Sequence, residues 1–264
     1  MTALRKFFRT AATAGVVALA TFGMTGAATA DELANIKEKG VMRIAMSGGY
    51  PPFNFVNEQN EVVGFDPAIG AEIGKRMGVE IEIITTAWDG IIGGLLAGKY
   101  DAIVGSMSIT DERKKVVDFV GPYYRMSRGI FVKEGSAITG LGALNGARIG
   151  VTLGETHEQW AREQAGWDIR TYKGLTELLL ELDNGRIDAI VTDDIPVLVA
   201  IKQNGNAITQ LETTGLAGAA DEAGIAIRQG NPELAAAMQA ALDAMQADGT
   251  YLAIAEQWVG GDIR

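Results

Sequence analysis

The same seven-residue joint occurs twice in this chain. Gly98-Lys99-Tyr100-Asp101-Ala102-Ile103-Val104 is echoed by Gly185-Arg186-Ile187-Asp188-Ala189-Ile190-Val191. In each, a leucine-bearing helical stretch ends on glycine, a basic residue and an aspartate follow, and a β-branched run begins. A glycine there reads as the left-handed residue that closes a helix before the chain turns into a strand. Such joints are common and the match is short. The echo therefore argues for two similarly built α/β lobes, not for a repeat array.

The flanking pattern agrees. Val41–Met46 is a short apolar run, read as a strand, and runs into Ser47-Gly48-Gly49-Tyr50-Pro51-Pro52, a loop by its Gly and Pro content. Val62–Phe65 reads as another short strand. Asp66-Pro67 then predicts a helix start, with Asp at the N-cap and Pro at the first helical position. Ile69, Ile73 and Met77 make one apolar stripe, and Gly78 ends the helix. Glu alternates with Val and Ile over Val79–Ile84, a half-buried strand. A helix over Asp89–Leu96 and a strand over Asp101–Gly105 complete a β-α-β-α-β order, which implies α/β layers with a largely parallel sheet. The later half repeats it, with strands at Arg148–Val151, Asp168–Tyr172 and Asp188–Val191 and helices at Glu155–Ala165 and Leu175–Leu182. Asn231-Pro232 opens an alanine-rich helix to about Met245, and Thr250 is expected to cap a last helix ending near Trp258.

The first thirty residues read as an address. Arg5, Lys6 and Arg9 form a basic start, Ala11–Phe22 is apolar but for two Thr and a Gly, and Ala28-Thr29-Ala30 fits a small-x-small cleavage site. The apolar run is short of the ~20 residues a membrane span needs. Cleavage after Ala30 would remove three cations and no acids, so the mature chain would be more acidic than the −10 of the whole sequence. Such acidity argues against a nucleic-acid partner. The chain has no cysteine. That excludes a thiolate nucleophile, a disulfide framework and a cysteine-held metal, and leaves no attachment point for a lipid at the cleavage site. One histidine excludes a histidine-rich metal site. No metal, no cofactor and no membrane anchor are expected.

In open α/β sheets, ligands bind beyond the carboxyl ends of the strands. The two echo strands lead into Gly105-Ser106-Met107-Ser108 and Thr192-Asp193-Asp194, and the first strand of the chain leads to Tyr50. Hydroxyls, a carboxylate and a ring could thus line one crevice. Each also has a plainer reading, as a turn residue or helix cap. Thr110 looks like an N-cap with Asp111 and Glu112 in the first turn, which places Arg113 where a cation is disfavoured. A docked anion would resolve that conflict, as would an ion pair with a neighbouring acid. Trp88 is core or a ligand platform, and Tyr50 would be the wall opposite. His157, beside Glu155, lacks any Gly-x-Ser-x-Gly elbow nearby and reads as a lone histidine that caps a helix or lines a pocket.

Taken together, Gly49-Tyr50-Pro51-Pro52-Phe53-Asn54-Phe55, Val63-Gly64-Phe65-Asp66, and Ser106 through Arg113 with Asp118-Phe119 and Pro122-Tyr123-Tyr124 resemble the polar-amino-acid-binding proteins of bacterial ABC importers, the family 3 extracellular solute-binding proteins. The similarity runs from about Leu33 to Trp258. It implies an α/β, two-lobed periplasmic-binding-protein fold, hinge-linked by two crossover strands near Tyr124–Gly129 and Asp221–Ala226. Lobe one would comprise residues 31–125 and 220–264, and lobe two residues 126–219.

The resemblance also implies roles. Arg113 would clamp a ligand α-carboxylate, with Ser106 and Ser108 bonding the carboxylate and ammonium. Thr156 would add a backbone N–H to the carboxylate, and Asp193 would pair with the ammonium. Tyr50 and Trp88 would wall the side chain, and Thr152 would sit where the pocket varies with ligand. One departure is Ser47, where several binders of basic amino acids or of glutamine carry an acid; Glu155 is the candidate to replace that charge. The expected protein is a periplasmic monomer, not an enzyme, that passes an amino acid to the permease subunits of an ABC importer. A cyclohexadienyl dehydratase-like enzyme and a ligand-sensing module for a membrane receptor are the alternatives.

Overall fold

The computed structural model describes residues 32–205, 207–212 and 220–264. The expected leader, residues 1–30, lies outside the described residues. The elements run α1 Glu32–Lys39, β1 Val41–Met46, β2 Gly49–Tyr50, β3 Asn54–Val56, β4 Val62–Val63, α2 Phe65–Met77, β5 Glu80–Thr85, α3 Ile91–Leu96, β6 Ala102–Ser108, α4 Asp111–Lys114 and β7 Val117–Lys133. They continue with β8 Arg148–Thr152, α5 Thr156–Arg162, β9 Asp168–Tyr172, α6 Leu175–Asp183, β10 Ala189–Asp193, α7 Asp194–Asn204, β11 Ile208–Gln210, β12 Ala220–Arg228, α8 Pro232–Ala247 and α9 Thr250–Val259.

Two parallel groups carry the architecture. The strand order is β5-β1-β6-β12-β7-β10-β8-β9, with β11 beside β7. Strands β5, β1 and β6 run parallel, as do β10, β8 and β9. Between them the long strand β7 pairs antiparallel with β12 along Val117–Ser127, then with β10 from Arg128 to Phe131. One strand thus leaves the first lobe and becomes part of the second.

The echoed joints are built alike. Gly98 and Gly185 adopt left-handed φ of 71° and 67°. Each following aspartate holds an arginine that lies on the neighbouring parallel strand. Arg43 donates to Asp101 from its backbone N–H at 2.9 Å and from Nη2 at 2.7 Å. Arg148 donates to Asp188 from its backbone N–H at 2.8 Å and from Nη2 at 2.6 Å. Arg43 also reaches the carbonyls of Gly98 and Lys99, and Arg148 that of Gly185. The basic clamp therefore closes helix end, strand start and neighbouring strand in one fork of charge-assisted bonds.

The largest core cluster includes Ile44, Phe65, Ile69, Ile73, Leu234 and Met238, beneath α2 and α8, and the second lobe's own cluster includes Ile130, Ile149, Val151 and Val191. Fully burying such a side chain stabilises by about 1.5–3 kcal/mol. The aromatic rings of Phe53, Phe65, Tyr123 and Tyr124 stack and meet edge-on beneath the site.

Three local expectations are corrected. Asp66 is not the N-cap of α2; Gly64 is, at φ 132°. The carbonyls of Pro52 and Phe53 accept the N–H groups of Phe65 and Asp66, so the first turn needs no side-chain cap. A Cβ at Gly64 would lie 2.3 Å from the Phe53 carbonyl oxygen, which explains the glycine. Thr250 is the first residue of α9, and the cap is Gly249, in the left-handed region; Asp248 accepts the Thr250 N–H at 3.0 Å. Finally, β6 extends through Ser108, so Ser106 and Ser108 are strand residues, not turn residues beyond its end.

Candidate functional site

The carboxyl ends of β1, β6, β8 and β10 meet around one cavity, with about 440 Å³ not filled by atoms, its mouth included. All eight sequence-derived site residues line it: Tyr50, Trp88, Ser106, Ser108 and Arg113 from the first lobe, and Thr152, Thr156 and Asp193 from the second. Ser47, Glu155, His157, Lys173 and Gly174 also face it.

The first-lobe wall rests on a buried carboxylate. Asp66 is fully buried. It accepts hydrogen bonds from Asn54 Nδ2 at 2.6 Å, Ser106 Oγ at 2.8 Å and the Tyr123 hydroxyl at 2.6 Å. The Tyr123 oxygen in turn accepts the Ser106 backbone N–H at 2.8 Å. Ser106 has φ 61°, a strained conformation for a non-glycine residue, and these bonds hold it there. Burial pushes the Asp66 carboxyl up to about 6, against the three hydrogen bonds. Asn54 also accepts from Ser47 Oγ and from the Gly48 N–H, both at 2.9 Å. Ser47, where an acid was missing, thus fixes the loop that carries Tyr50.

Arg113 stands at the other end. Thr110 is the N-cap of α4, as expected, and accepts the Arg113 N–H at 3.2 Å. The guanidinium donates to two backbone carbonyls, Ser108 O at 2.9 Å and, across the cleft, Gly154 O at 3.4 Å. It lies 5.7 Å from the Trp88 ring centre. Among the described residues no carboxylate is within ion-pair distance of it. Burial lowers its pKa, opposed by Glu155, Asp221 and Asp193, and the group stays charged.

Asp193 faces it from the second lobe. One carboxylate oxygen accepts the Tyr50 hydroxyl, a bond that spans the lobes. The other sits 3.0 Å from His157 Nε2. His157 Nδ1 accepts from Arg128 Nε at 3.1 Å, so its ring proton belongs on Nε2 and points at Asp193. Burial disfavours the imidazolium, but Asp193 and then Glu155 outweigh it and raise the histidine pKa. Arg128 packs its guanidinium 5.0 Å from the Trp160 ring centre and lies 3.9 Å from Asp221. Thr156 Oγ1 donates to Asp221 at 3.4 Å. Burial, and then Asp193, lift the Tyr50 hydroxyl well above its ordinary value, so it is a donor here.

Two further polar groups in the wall lack partners. Among the described residues, Glu155 Oε2 and Thr152 Oγ1 are buried without a hydrogen bond. Burial pushes the Glu155 carboxyl up to about 7.

Sequence reasoning did not single out Arg128, Lys173 or Gly174, and it left His157 as a bystander. The structure makes His157 the orienting partner of Asp193. Its being the chain's one histidine was the available signal. Arg128 carried none, since a lone arginine inside a long strand reads as surface. Among the described residues no group of His, Cys, Asp and Glu could hold a metal ion. No described helix is long and apolar enough to cross a membrane.

Known proteins share this arrangement of sequence and fold. Residues 42–261 match the family described as bacterial extracellular solute-binding proteins, family 3. The chain is 36% identical to the L-cystine-binding protein TcyJ of Escherichia coli over 94% of this chain and 95% of that one. It is 34% identical to an L-arginine-binding protein of Pseudomonas aeruginosa over 84% of this chain and 89% of that one. Among solved structures it is similar to an ancestral arginine-binding protein bound to arginine, with TM-score 0.78, 39% identity, and 84% and 99% of the two chains covered. It is also similar to an ancestral amino acid-binding protein that is a precursor of cyclohexadienyl dehydratase, with TM-score 0.80, 35% identity, and 86% and 99% covered.

Proposed function

The chain belongs to the bacterial extracellular solute-binding proteins of family 3, and on that footing we propose that it binds a free amino acid between its lobes and delivers it to an ABC-type importer. The observation that carries this reading is a fixed cation facing a fixed anion across one cavity. Arg113 spends its bonds on carbonyls and keeps its charge for a ligand. Asp193 is oriented by Tyr50 and His157 and lines the same cavity. A zwitterion supplies the two complementary ends, and charge-assisted bonds in a closed cleft are the strong ones.

The α-carboxylate would sit on Arg113, helped by Ser108 and the Thr156 backbone N–H, and the ammonium on Asp193, helped by Ser106. Tyr50 and Trp88 would wall the side chain, with Thr152 at its flank. Closure would bend β7 and the start of β12, with lobe one comprising residues 31–125 and 220–264 and lobe two residues 126–219. The protein would work as a monomer in the periplasm after loss of residues 1–30.

Calorimetric titration with amino acids tests this. One should bind one to one, and Arg113→Ala should cost about 2–5 kcal/mol, a thirty-fold or larger loss of affinity. Unchanged affinity would remove Arg113 from the site. A second reading, a dehydratase on the same frame, has one feature in its favour: Glu155 lines the cavity and burial pushes its carboxyl up to about 7, the range a general acid needs. Turnover of arogenate or prephenate by the pure protein would establish it, and none would dismiss it.

A further inference from the structure

One buried cation stands behind the cavity without lining it. Arg128 sits on β7 just past the stretch paired with β12, where the strand enters the second lobe. The register sets it directly opposite Asp193 on β10, and residues opposite each other on an antiparallel pair present their side chains to one face. Its side chain is only 7% exposed. A guanidinium buried to that degree is costly unless it is paired and hydrogen-bonded. Among the described residues its one ion pair is with Asp221, at 3.9 Å, and its side-chain hydrogen bond goes to His157 Nδ1, at 3.1 Å.

That bond fixes the imidazole. Arginine has donors only and keeps its charge at any ordinary pH. The nitrogen facing it must be the bare one, so the ring proton sits on Nε2, 3.0 Å from Asp193 Oδ1. Burial and Arg128 oppose a second ring proton, which Asp193 and Glu155 favour. Asp221, on β12, ties the preceding residue of α5, since its carboxylate accepts from Thr156 Oγ1 at 3.4 Å. The first two residues of α5 are thus held by the two crossover strands, Thr156 by β12 and His157 by β7.

We infer that Arg128 is a positioning residue for the ligand ammonium: it locks His157 in the tautomer that donates to Asp193, and so aims the Asp193 carboxylate from a crossover strand. This rests on the amino-acid reading above and extends it to a residue the ligand never touches. The other bond to Asp193 comes from Tyr50, across the cleft, and forms only when the lobes meet. His157 and Arg128 belong to the same lobe as Asp193 and hold it in the open form too. An anchor already aimed has less order to gain on binding, which favours affinity.

The chain's one histidine makes the test direct. In protein with nitrogen-labelled histidine, NMR of the single imidazole at pH 8 should show the proton on Nε2 and Nδ1 bare. Arg128→Met should mix the tautomers and raise the pH at which the ring takes its second proton. Calorimetry then follows the tightest binder among the protein amino acids and L-cystine. Arg128→Met and His157→Leu should each weaken it about tenfold or more, the size of a hydrogen bond to a charged group. His157→Gln should stay within about threefold of wild type, because its amide accepts from Arg128 through Oε1 and donates to Asp193 through Nε2. A merely structural role would lower stability in urea without moving the tautomer or separating glutamine from leucine. A proton on Nδ1 in the wild type, affinity within about twofold after Arg128→Met, or equal losses in His157→Gln and His157→Leu overturn the inference and leave amino-acid binding intact. If Arg128→Met does not fold, the wild-type spectrum and the two His157 variants decide. If no amino acid binds the wild type, the reading beneath falls and the inference with it.

Discussion

Asp66 lies under the site and is not among the residues that line its cavity, which makes it a clean place to test the electrostatics. Its carboxyl titrates at about 6 in the folded protein, against an ordinary value of 3.8. A displacement of that size corresponds to about 3 kcal/mol. The group is fully buried, so solvent screening removes little of this. The sign follows from the direction. A carboxyl whose folded pKa is raised binds its proton more tightly in the folded state. Its charged form therefore costs stability, fully above about pH 6–7, and the cost is relieved as the pH falls from about 6 toward the unfolded value of 3.8.

Asp66→Asn keeps the shape and removes the titration. The experiment is urea unfolding of both proteins from pH 7 to pH 4. Every other group titrates in both and cancels in the difference. Wild type should gain about 2–3 kcal/mol on the variant over that range. The asparagine also turns an N–H toward Ser106 or Tyr123, so Ser106 should lose its left-handed hold and amino-acid affinity should fall. A stability difference flat to within about 0.5 kcal/mol would refute the claim that burial dominates this carboxylate.

Two other changes probe closure and the lobe design. A Cβ on Gly174 would stand 3.3 Å from the Gly49 carbonyl oxygen, across the cleft, so Gly174→Val should wedge the closed form and weaken ligand binding by about 1–3 kcal/mol; affinity within about twofold of wild type by calorimetry would remove that contact from the closing surface. Asp101→Ala and Asp188→Ala each break an arginine fork, and with side chains 13% and 33% exposed the first should cost about 1–3 kcal/mol in urea unfolding and the second less. The reverse order would contradict the burial argument.

What could be read from the sequence was local. A glycine ending a helix and the strand after it depend on neighbours a few residues away, and both joints formed where the pattern put them. Their arginine partners could not be read, because Arg43 and Arg148 come from strands 58 and 40 residues earlier. Asp66 misled for the same reason. Carbonyls of the Pro52-Phe53 loop cap the helix in its place, and its side chain reaches Ser106 and Tyr123, 40 and 57 residues on.

The site shows the same division. Residues at strand ends were legible because parallel α/β sheets collect those ends at one edge. His157, Arg128 and Gly174 were not, since their contacts depend on where a second strand or the opposite lobe arrives.

If Arg113 and Asp193 grip the two ends of one amino acid, a crystal structure of the protein with its tightest-binding amino acid will show it most directly. The α-carboxylate should lie within hydrogen-bond distance of the Arg113 guanidinium and the α-ammonium against Asp193, inside the cavity walled by Tyr50 and Trp88. A ligand seated elsewhere, or held with its head group away from both residues, would contradict that grip.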